Sequence, residues 1–364
     1  MNKVNILFII TYFNKGGPSK VLINIINNID TDRFNVYVVT ILNKNSDVII
    51  NDLKLKNITI VELDYKDYFN ALMYGKTKIK KIIKDYSVGV LNSHGILSDI
   101  ICSKLNIKKF ATIHNNMIED YVNKHGKIIG NIMVNIHINK LNRFDKVIGC
   151  SKTVSESLES KLDNVDYIRN GTEKIEIKSD QLRNKYLLRD EDRVFLYVGH
   201  ISEGKNVVNL VGKFVECHNE NEYLFMVGKG DKLSDCQKLA DSHIIFTGWQ
   251  DNPYQYLDMA DIYISASKSE GFSTAVLDAL NYGLGVFLSD IPSHREIYDI
   301  YNNIYIGESF NMYNFHNKFA ELRKNYGLID KQAIIDIKEK RLSAEFMTNE
   351  YETMFEKLFY DENK

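Results

Sequence analysis

The stretch SKSEGFSTAVLDAL, residues 267 to 280, sets the carboxylate of Glu270 directly before Gly271 and a second carboxylate, Asp278, eight residues later in an otherwise apolar run. An ionised carboxylate only accepts hydrogen bonds, so it suits a ligand that offers hydroxyl donors. A helix start behind Gly271 would add free N–H groups and the positive end of a dipole, and the glycine would let an anion approach closely. Glu270 would repel that anion unless it faced something else, and hydroxyls are the natural candidate. In the plainer alternative Glu270 caps the helix and Asp278 faces solvent.

A strand, a loop and a helix are needed to hold these residues. ADIYISAS (260–267) reads as a short buried strand, and Ser273 or Thr274 is a competent cap for a helix carrying Ala275, Val276, Leu277, Ala279 and Leu280. Asp278 then lies about one turn inside that helix. Strand-like runs recur at NILFII, NVYVVTI, ITIVEL, VGVLNS, KFATIH and KVIGC, with helical periodicity between most of them. After the charge-dense segment 172–192 a second series follows: VFLYVGH, YLFMVGK, HIIFTG, DIYISAS, GVFLSD and NIYIG. Alternation of this kind predicts two α/β domains, each a doubly wound parallel sheet, over residues 1–172 and 173–342. Residues 343–364 read as an amphipathic helix with Phe346, Tyr351, Phe355 and Leu358 on its apolar face, expected to pack back towards the amino-terminal domain.

In open sheets, ligands sit beyond the carboxyl ends of the strands. FNKGGPSK, VGHISEGKN, VGKGD and SKSEGFST each bring glycine or a short polar residue to such an end. Four of them across two domains point to a nucleotide-type ligand in the cleft between the domains, although tight turns would explain any single one.

With 364 residues the chain exceeds the usual single-core size, which also favours two domains. Cysteines at 102, 150, 217 and 236 have no paired or CxxC spacing, so a reducing cytoplasmic setting is expected and neither a disulfide framework nor a zinc site is suggested. VNILFIITYF lacks a following small-residue cleavage site and reads as the first strand. No apolar run approaches bilayer-spanning length, so membrane contact would be peripheral. The net charge of −2 hides an asymmetry: residues 1–178 hold 26 Lys plus Arg against 18 Asp plus Glu, and the remainder 20 against 30. KTKIKKIIK (76–84) and the lysines among apolar residues 124–146 suit an anionic membrane surface or an acidic acceptor, or form a solvated helix face. Nucleic acid is not an expected partner.

On these residues the chain resembles, over nearly its whole length, the retaining glycosyltransferases of family 4. The resemblance is carried by NKGGPSKVLINIINNID, SHG, TIHN, IRNGTE, VGHISEGKN, FTGW, EGFSTAVLDALNYG and SDIPSHREI. It implies the GT-B fold, two facing Rossmann-like domains with a cleft between them, and transfer of a sugar from a nucleotide donor, with a UDP-sugar expected. The family signature is Glu, seven residues, Glu, in which the first acid meets donor-sugar hydroxyls and the second the nucleotide ribose. Glu270 and Asp278 occupy those places. By the same resemblance Lys205 neutralises the diphosphate, His114 lies near the sugar, and Gly16 and Gly17 let backbone amides approach the phosphates. The N–H groups of Phe272, Ser273 and Thr274 complete the anion site. His94 reads as structural, and Trp249, the only tryptophan, as packing beside the base or in the core. Nothing resembles the Asp-any-Asp metal motif of the other large glycosyltransferase fold, so no metal or other cofactor is expected.

Four positions depart from the family pattern: Asp278 is one methylene shorter than glutamate, His200 stands where arginine precedes the lysine, Gly285 replaces a usual proline, and Ser19 a usual acid. A histidine is cationic over only part of the working pH range, an arginine throughout. The expected activity is hexosyl transfer from a nucleotide sugar to a lipid-linked or surface polysaccharide acceptor, at the cytoplasmic face of a membrane. A weakened or inactive partner subunit and a sugar-nucleotide epimerase of the same architecture are the alternatives. The epimerase would want its own acid and base pair, which the residues do not supply.

Overall fold

The computed structural model describes residues 3–43, 53, 58–177 and 182–360. The chain divides into two compact units, Met1–Gly171 joined by Ala344–Lys364, and Thr172–Ser343.

In the first unit, near-continuous apolar runs form inner strands buried on both faces, as a parallel sheet covered by helices requires, while the two edge strands stay partly exposed. The strands are β1 (Val4–Ile10), β2 (Phe34–Leu42), β3 (Thr59–Tyr65), β4 (Val90–His94), β5 (Lys108–Ile113), β6 (Lys146–Gly149) and β7 (Val165–Tyr167). They pair in parallel in the order β3-β2-β1-β4-β5-β6-β7. The winding reverses between β1 and β4, so the loops leaving those two strands diverge and open a crevice at their carboxyl ends. Three-residue β7 carries no apolar run, which is why the strand pattern passes over it.

The second unit repeats the plan with β8 (Arg193–Val198), β9 (Glu222–Val227), β10 (Ile244–Gly248), β11 (Ile262–Ser265), β12 (Gly285–Ser289) and β13 (Gly307–Phe310). Their order is β10-β9-β8-β11-β12-β13, with the reversal between β8 and β11. The last strand corrects the reading of NIYIG as strand, because pairing begins only at Gly307, opposite Val286. Gly307 has φ +139°, and a Cβ there would lie 1.8 Å from the Val286 carbonyl oxygen. Asn302 and Asn303 turn the chain after the preceding helix, and buried Ile306 contributes only its carbonyl, which accepts the Val286 amide at 2.7 Å.

The closing helix, Ala344–Tyr360, belongs to the first unit's core. Met347, Tyr351, Phe355 and Leu358 are buried beside β1 and the helix Gly17–Asn28, and Phe355 meets Phe8 edge-on at 5.5 Å. Phe346 is 42% exposed, which corrects its place on the apolar face. The helical period explains the correction: 347, 351, 355 and 358 step by four, four and three, whereas 346 lies a further 100° round the helix. Glu352 pins the helix polar-side, accepting the Asp30 amide at 2.6 Å and pairing with Arg33 at 2.9 Å.

Candidate active site

Lys205 ends a short 3₁₀ turn, Glu203–Lys205, in the loop after β8, and Glu270 stands in the loop after β11. Those strands are neighbours at the reversal of the second sheet, so residues 65 apart in sequence meet. The Lys205 ammonium forms an ion pair with Glu270 Oε1, which also accepts Ser267 Oγ at 2.7 Å. The Lys268 amide donates to the Gly204 carbonyl at 3.0 Å and the Lys268 ammonium pairs with Glu203, stitching the two loops together. The Glu270 side chain is only 13% exposed and that of Lys205 32%. Burial opposes ionisation of Glu270, but the Lys205 charge and hydrogen bond, with Ser267, hold its carboxyl below the ordinary range.

Ser273 caps the helix Thr274–Asn281, its Oγ accepting the Val276 amide at 3.5 Å. The first amides of such a helix have no partner within it, and they point along its dipole towards the same loop. Asp278 is buried in the second turn. The Tyr263 phenol, donating to Val198 O at 3.2 Å, lies in the field of both acids: burial first, then Glu270 and Asp278, push its ionisation up. Phe272 is buried and His200 exposed, the carbonyl of His200 accepting the Tyr197 hydroxyl at 2.9 Å.

His294 joins this group without having been singled out by its sequence. Ser289, the last residue of β12, donates through Oγ to the Ser267 carbonyl at 2.7 Å. His294 Nδ1 lies 2.9 Å from the Ser289 carbonyl, an acceptor only, so Nδ1 carries the proton and Nε2 keeps a bare lone pair. That Nε2 is buried without a hydrogen-bond partner, burial keeps the ring neutral, and the Glu270 charge pulls the other way. The signal available beforehand was the position of SHREI just past a strand end.

The loops after β8, β9 and β10 are tied to one another by backbone hydrogen bonds. Gly199 N donates to Val227 O, Ile201 N to Lys229 O and Gly228 N to Gly248 O, at 2.9 to 3.0 Å. Gly228 has φ +147°, and a Cβ there would stand 1.9 Å from the Gly199 carbonyl oxygen, so only glycine permits this approach. Trp249 is 46% exposed with the Lys229 ammonium 5.6 Å from its ring centroid, which removes the core reading of this tryptophan.

In the first unit the β1 loop is self-braced. Asn14 Oδ1 accepts the Gly16 amide at 2.8 Å and the Ser19 hydroxyl at 3.2 Å, while Ser19 Oγ accepts the Asn14 amide at 2.9 Å. The Gly16 amide is therefore engaged within the loop. The helix begins at Gly17, with proline in its first turn. Ser19, standing where an acid is usual, closes the loop as a neutral hydroxyl.

His114 follows β5, and its state can be derived from its neighbours. Asn92 Nδ2 donates to Phe110 O and Thr112 Oγ1, leaving Asn92 Oδ1 to accept from His94 Nε2 at 2.7 Å. His94 Nδ1 is then a lone pair, and it accepts from His114 Nε2 at 2.8 Å. His114 Nδ1 is left bare, buried and without a partner. Burial pushes His114 down to about 4 and His94 well below the ordinary range, so both rings are neutral. His94 is thus the group that orients His114. Tyr351 of the closing helix reaches the same chain through Thr112 at 3.3 Å. Beside it, buried Asp99 accepts Ser93 Oγ at 2.5 Å and His137 Nε2 at 2.9 Å, tying the end of β4 to the helical segment Met117–Leu141.

Residues 178–341 match the family model for glycosyl transferases group 1. The O-antigen biosynthesis glycosyltransferase WclY of Escherichia coli is 24% identical over 254 residues, 64% of this chain and 71% of WclY. The alpha-monoglucosyldiacylglycerol synthase of Streptococcus pneumoniae is 27% identical over 263 residues, 64% of this chain and 59% of the synthase. Among solved structures, Anabaena HepE in complex with UDP superposes with a TM-score of 0.79 at 14% identity, covering 97% of this chain and all of the other.

Proposed function

We propose that this chain, a glycosyltransferase of the GT-B fold, moves a hexose from a UDP-sugar, with retention of anomeric configuration, to a lipid-linked or surface polysaccharide acceptor. The ion pair of Lys205 with Glu270 at the sheet reversal is the observation that carries this reading. As the bond between the anomeric carbon and the diphosphate breaks, the departing nucleotide gains negative charge. A preplaced cation and the amides at Ser273 and Thr274 stabilise it most at that moment. Lys205 has three N–H donors, and the Glu270 contact occupies one of them. Glu270, held ionised, accepts sugar hydroxyls, and Asp278 those of the ribose. The acceptor oxygen bonds to the anomeric carbon, and its proton leaves with the nucleotide. The bare Nε2 of His294 and bare Nδ1 of His114 are neutral acceptors suited to sugar hydroxyls, and the half-exposed face of Trp249 suits a flat base. Lys205 and the helix start bring the positive charge a divalent ion would otherwise supply, so transfer is proposed to proceed without metal.

The UDP in HepE supports the donor, and the O-antigen role of WclY supports a surface-polysaccharide acceptor. Incubation with a panel of UDP-hexoses tests the proposal. Transfer or slow hydrolysis releasing UDP is the expected result. Recovery of an altered sugar would make the chain an epimerase, and binding without turnover across the panel would make it a partner subunit.

The membrane face belongs to the same proposal. Among the described residues no helix is long and apolar enough to cross a membrane. The first unit nevertheless exposes Ile128, Ile129, Ile132 and Ile136 on the segment Met117–Leu141, beside exposed Lys124 and Lys127. Residues 128, 132 and 136 form one i, i+4 ridge. Helix Tyr68–Asp85 exposes Phe69, Met73 and Tyr74 with Lys76, Lys80, Lys81 and Lys84. Apolar side chains interleaved with lysines suit an anionic lipid surface. Co-sedimentation with vesicles containing anionic lipid is expected at low salt, weakened steeply by salt and by Ile128→Asp with Ile132→Asp. Equal binding to neutral vesicles, or no binding at low salt, defeats the proposal.

A further inference from the structure

We propose that His218, Asp241 and His243 form a Zn²⁺ site at the amino-terminal edge of the second unit's sheet, remote from the Lys205–Glu270 pair. His218 follows the helix Val207–Cys217 and precedes β9, while Asp241 and His243 precede β10. Parallel pairing of β9 with β10 brings both connections to the same sheet edge, opposite the carboxyl ends where Lys205 and Glu270 lie. One ligand atom from each of the three residues lies within 4.8 Å of the other two.

The hydrogen bonds set the ring nitrogens. His218 Nδ1 lies 3.0 Å from Asn219 O and His243 Nε2 lies 3.3 Å from Glu220 O. Carbonyls only accept, so those nitrogens carry the protons and the opposite ones, His218 Nε2 and His243 Nδ1, are bare in the neutral rings. Both bare nitrogens face the same carboxylate: His218 Nε2 is 2.8 Å from Asp241 Oδ2 and His243 Nδ1 is 3.8 Å from Oδ1. Acceptors at such separations repel unless a cation stands among them. A proton on His218 would satisfy one contact and leave His243 Nδ1 facing the other oxygen, and protonating both rings would set two positive charges on centroids 4.2 Å apart. One metal ion satisfies all three.

Two imidazoles and a carboxylate suit zinc, and backbone carbonyls holding the far ring nitrogens are the usual support for ligating histidines. Metal–ligand bonds of roughly 2.0–2.2 Å in a tetrahedron set ligand atoms roughly 3.4 Å apart, between the two distances above. The His243 amide, donating to Asp241 Oδ1 at 2.9 Å, orients the carboxylate. Partial exposure of all three side chains leaves the fourth position to water.

The test uses the untagged full chain, stripped with chelator and titrated with Zn²⁺ alone. Saturable binding of one ion per chain with a rise in melting temperature is expected, and His218→Gln and His243→Gln should each weaken it on the order of 10²-fold or more. Glu216→Gln, on an exposed acid of the neighbouring helix, should leave it unchanged. Should the glutamine variants not fold, Asp241→Asn serves with the same expectation. A stripped chain whose melting temperature ignores Zn²⁺, or undiminished binding by folded His218→Gln, overturns the site and leaves a protonated His218–Asp241 pair.

Discussion

Lys205→Ala and Glu270→Gln should each cut sugar transfer by on the order of 10²-fold or more, because both act on contacts that strengthen as the leaving group separates. The two losses should differ in kind. In wild type the Lys205 charge is the leading influence holding the Glu270 carboxyl low against its own burial. Lys205→Ala leaves that burial opposed only by the Ser267 hydrogen bond and the pull of His294, so the carboxyl of Glu270 rises and the variant loses both a cation and, at mildly acid pH, part of the anion. Its residual activity should therefore fall with acidification at pH values where wild type is still level. Glu270→Gln instead leaves a lysine that is one-third exposed and can be solvated, so it should be the more stable of the two folded proteins. Because each side chain sets the state of the other, the double variant should lose much less than the product of the single losses. Steady-state transfer across pH in wild type, the two single variants and the double variant decides the matter. Near-full activity in either folded single variant removes the pair from the site.

How far such a pair can be read from sequence depends on which scale sets it. Glu270 is legible because strand, glycine loop and capped helix lie in one short stretch, and each element follows from local rules. The Lys205 contact with Glu270 is not local. It arises because β8 and β11 are neighbours at the reversal of the sheet, a consequence of strand order that periodicity does not reveal. The place of His294 beside Glu270 is non-local for the same reason: SHREI marks only a strand end, and packing of the β12 end against Ser267 brings the ring to Glu270. The misplaced details are small displacements of phase. Phe346 fails because the apolar stripe of the last helix runs through Met347, and NIYIG fails because the strand waits for a glycine that can pass close to Val286. Gly16 and Gly17 are read as letting backbone amides approach a phosphate; the amide of Gly16 itself is engaged by Asn14, a side-chain bond that a glycine pair does not announce. The cluster of His218, Asp241 and His243 escapes both the cysteine spacing and the Asp-any-Asp motif, because its three side chains come from two connections that meet at a sheet edge.

The bare nitrogen of His114 has a cost that acid should expose. Its ring is held neutral by burial, which pushes it from the ordinary 6.5 down to about 4. At pH 5 the unfolded chain binds a proton at this position and the folded chain does not, so the folded state loses ground as pH falls through that window. Between pH 7 and pH 5 the difference amounts to about 2 kcal/mol for this one ring, and His94, shifted in the same direction by the same cause, adds to it. His114→Asn removes the titrating group while keeping an amide donor for His94. Its urea midpoint, followed by far-UV circular dichroism, should fall less between pH 7 and pH 5 than that of wild type. Trp249, the only tryptophan, lies in the second unit, so its fluorescence transition should show the same pH response in both proteins and separates a local effect from a global one. Transfer should suffer in the variant at every pH, since an asparagine cannot offer the imidazole lone pair at the same point. Equal pH responses by circular dichroism would mean that the His114 ring accepts a proton in the folded state. The chain from Asn92 through His94 to a bare Nδ1 would then be the wrong tautomer, and with it the proposed role of His114 as an acceptor of a sugar hydroxyl.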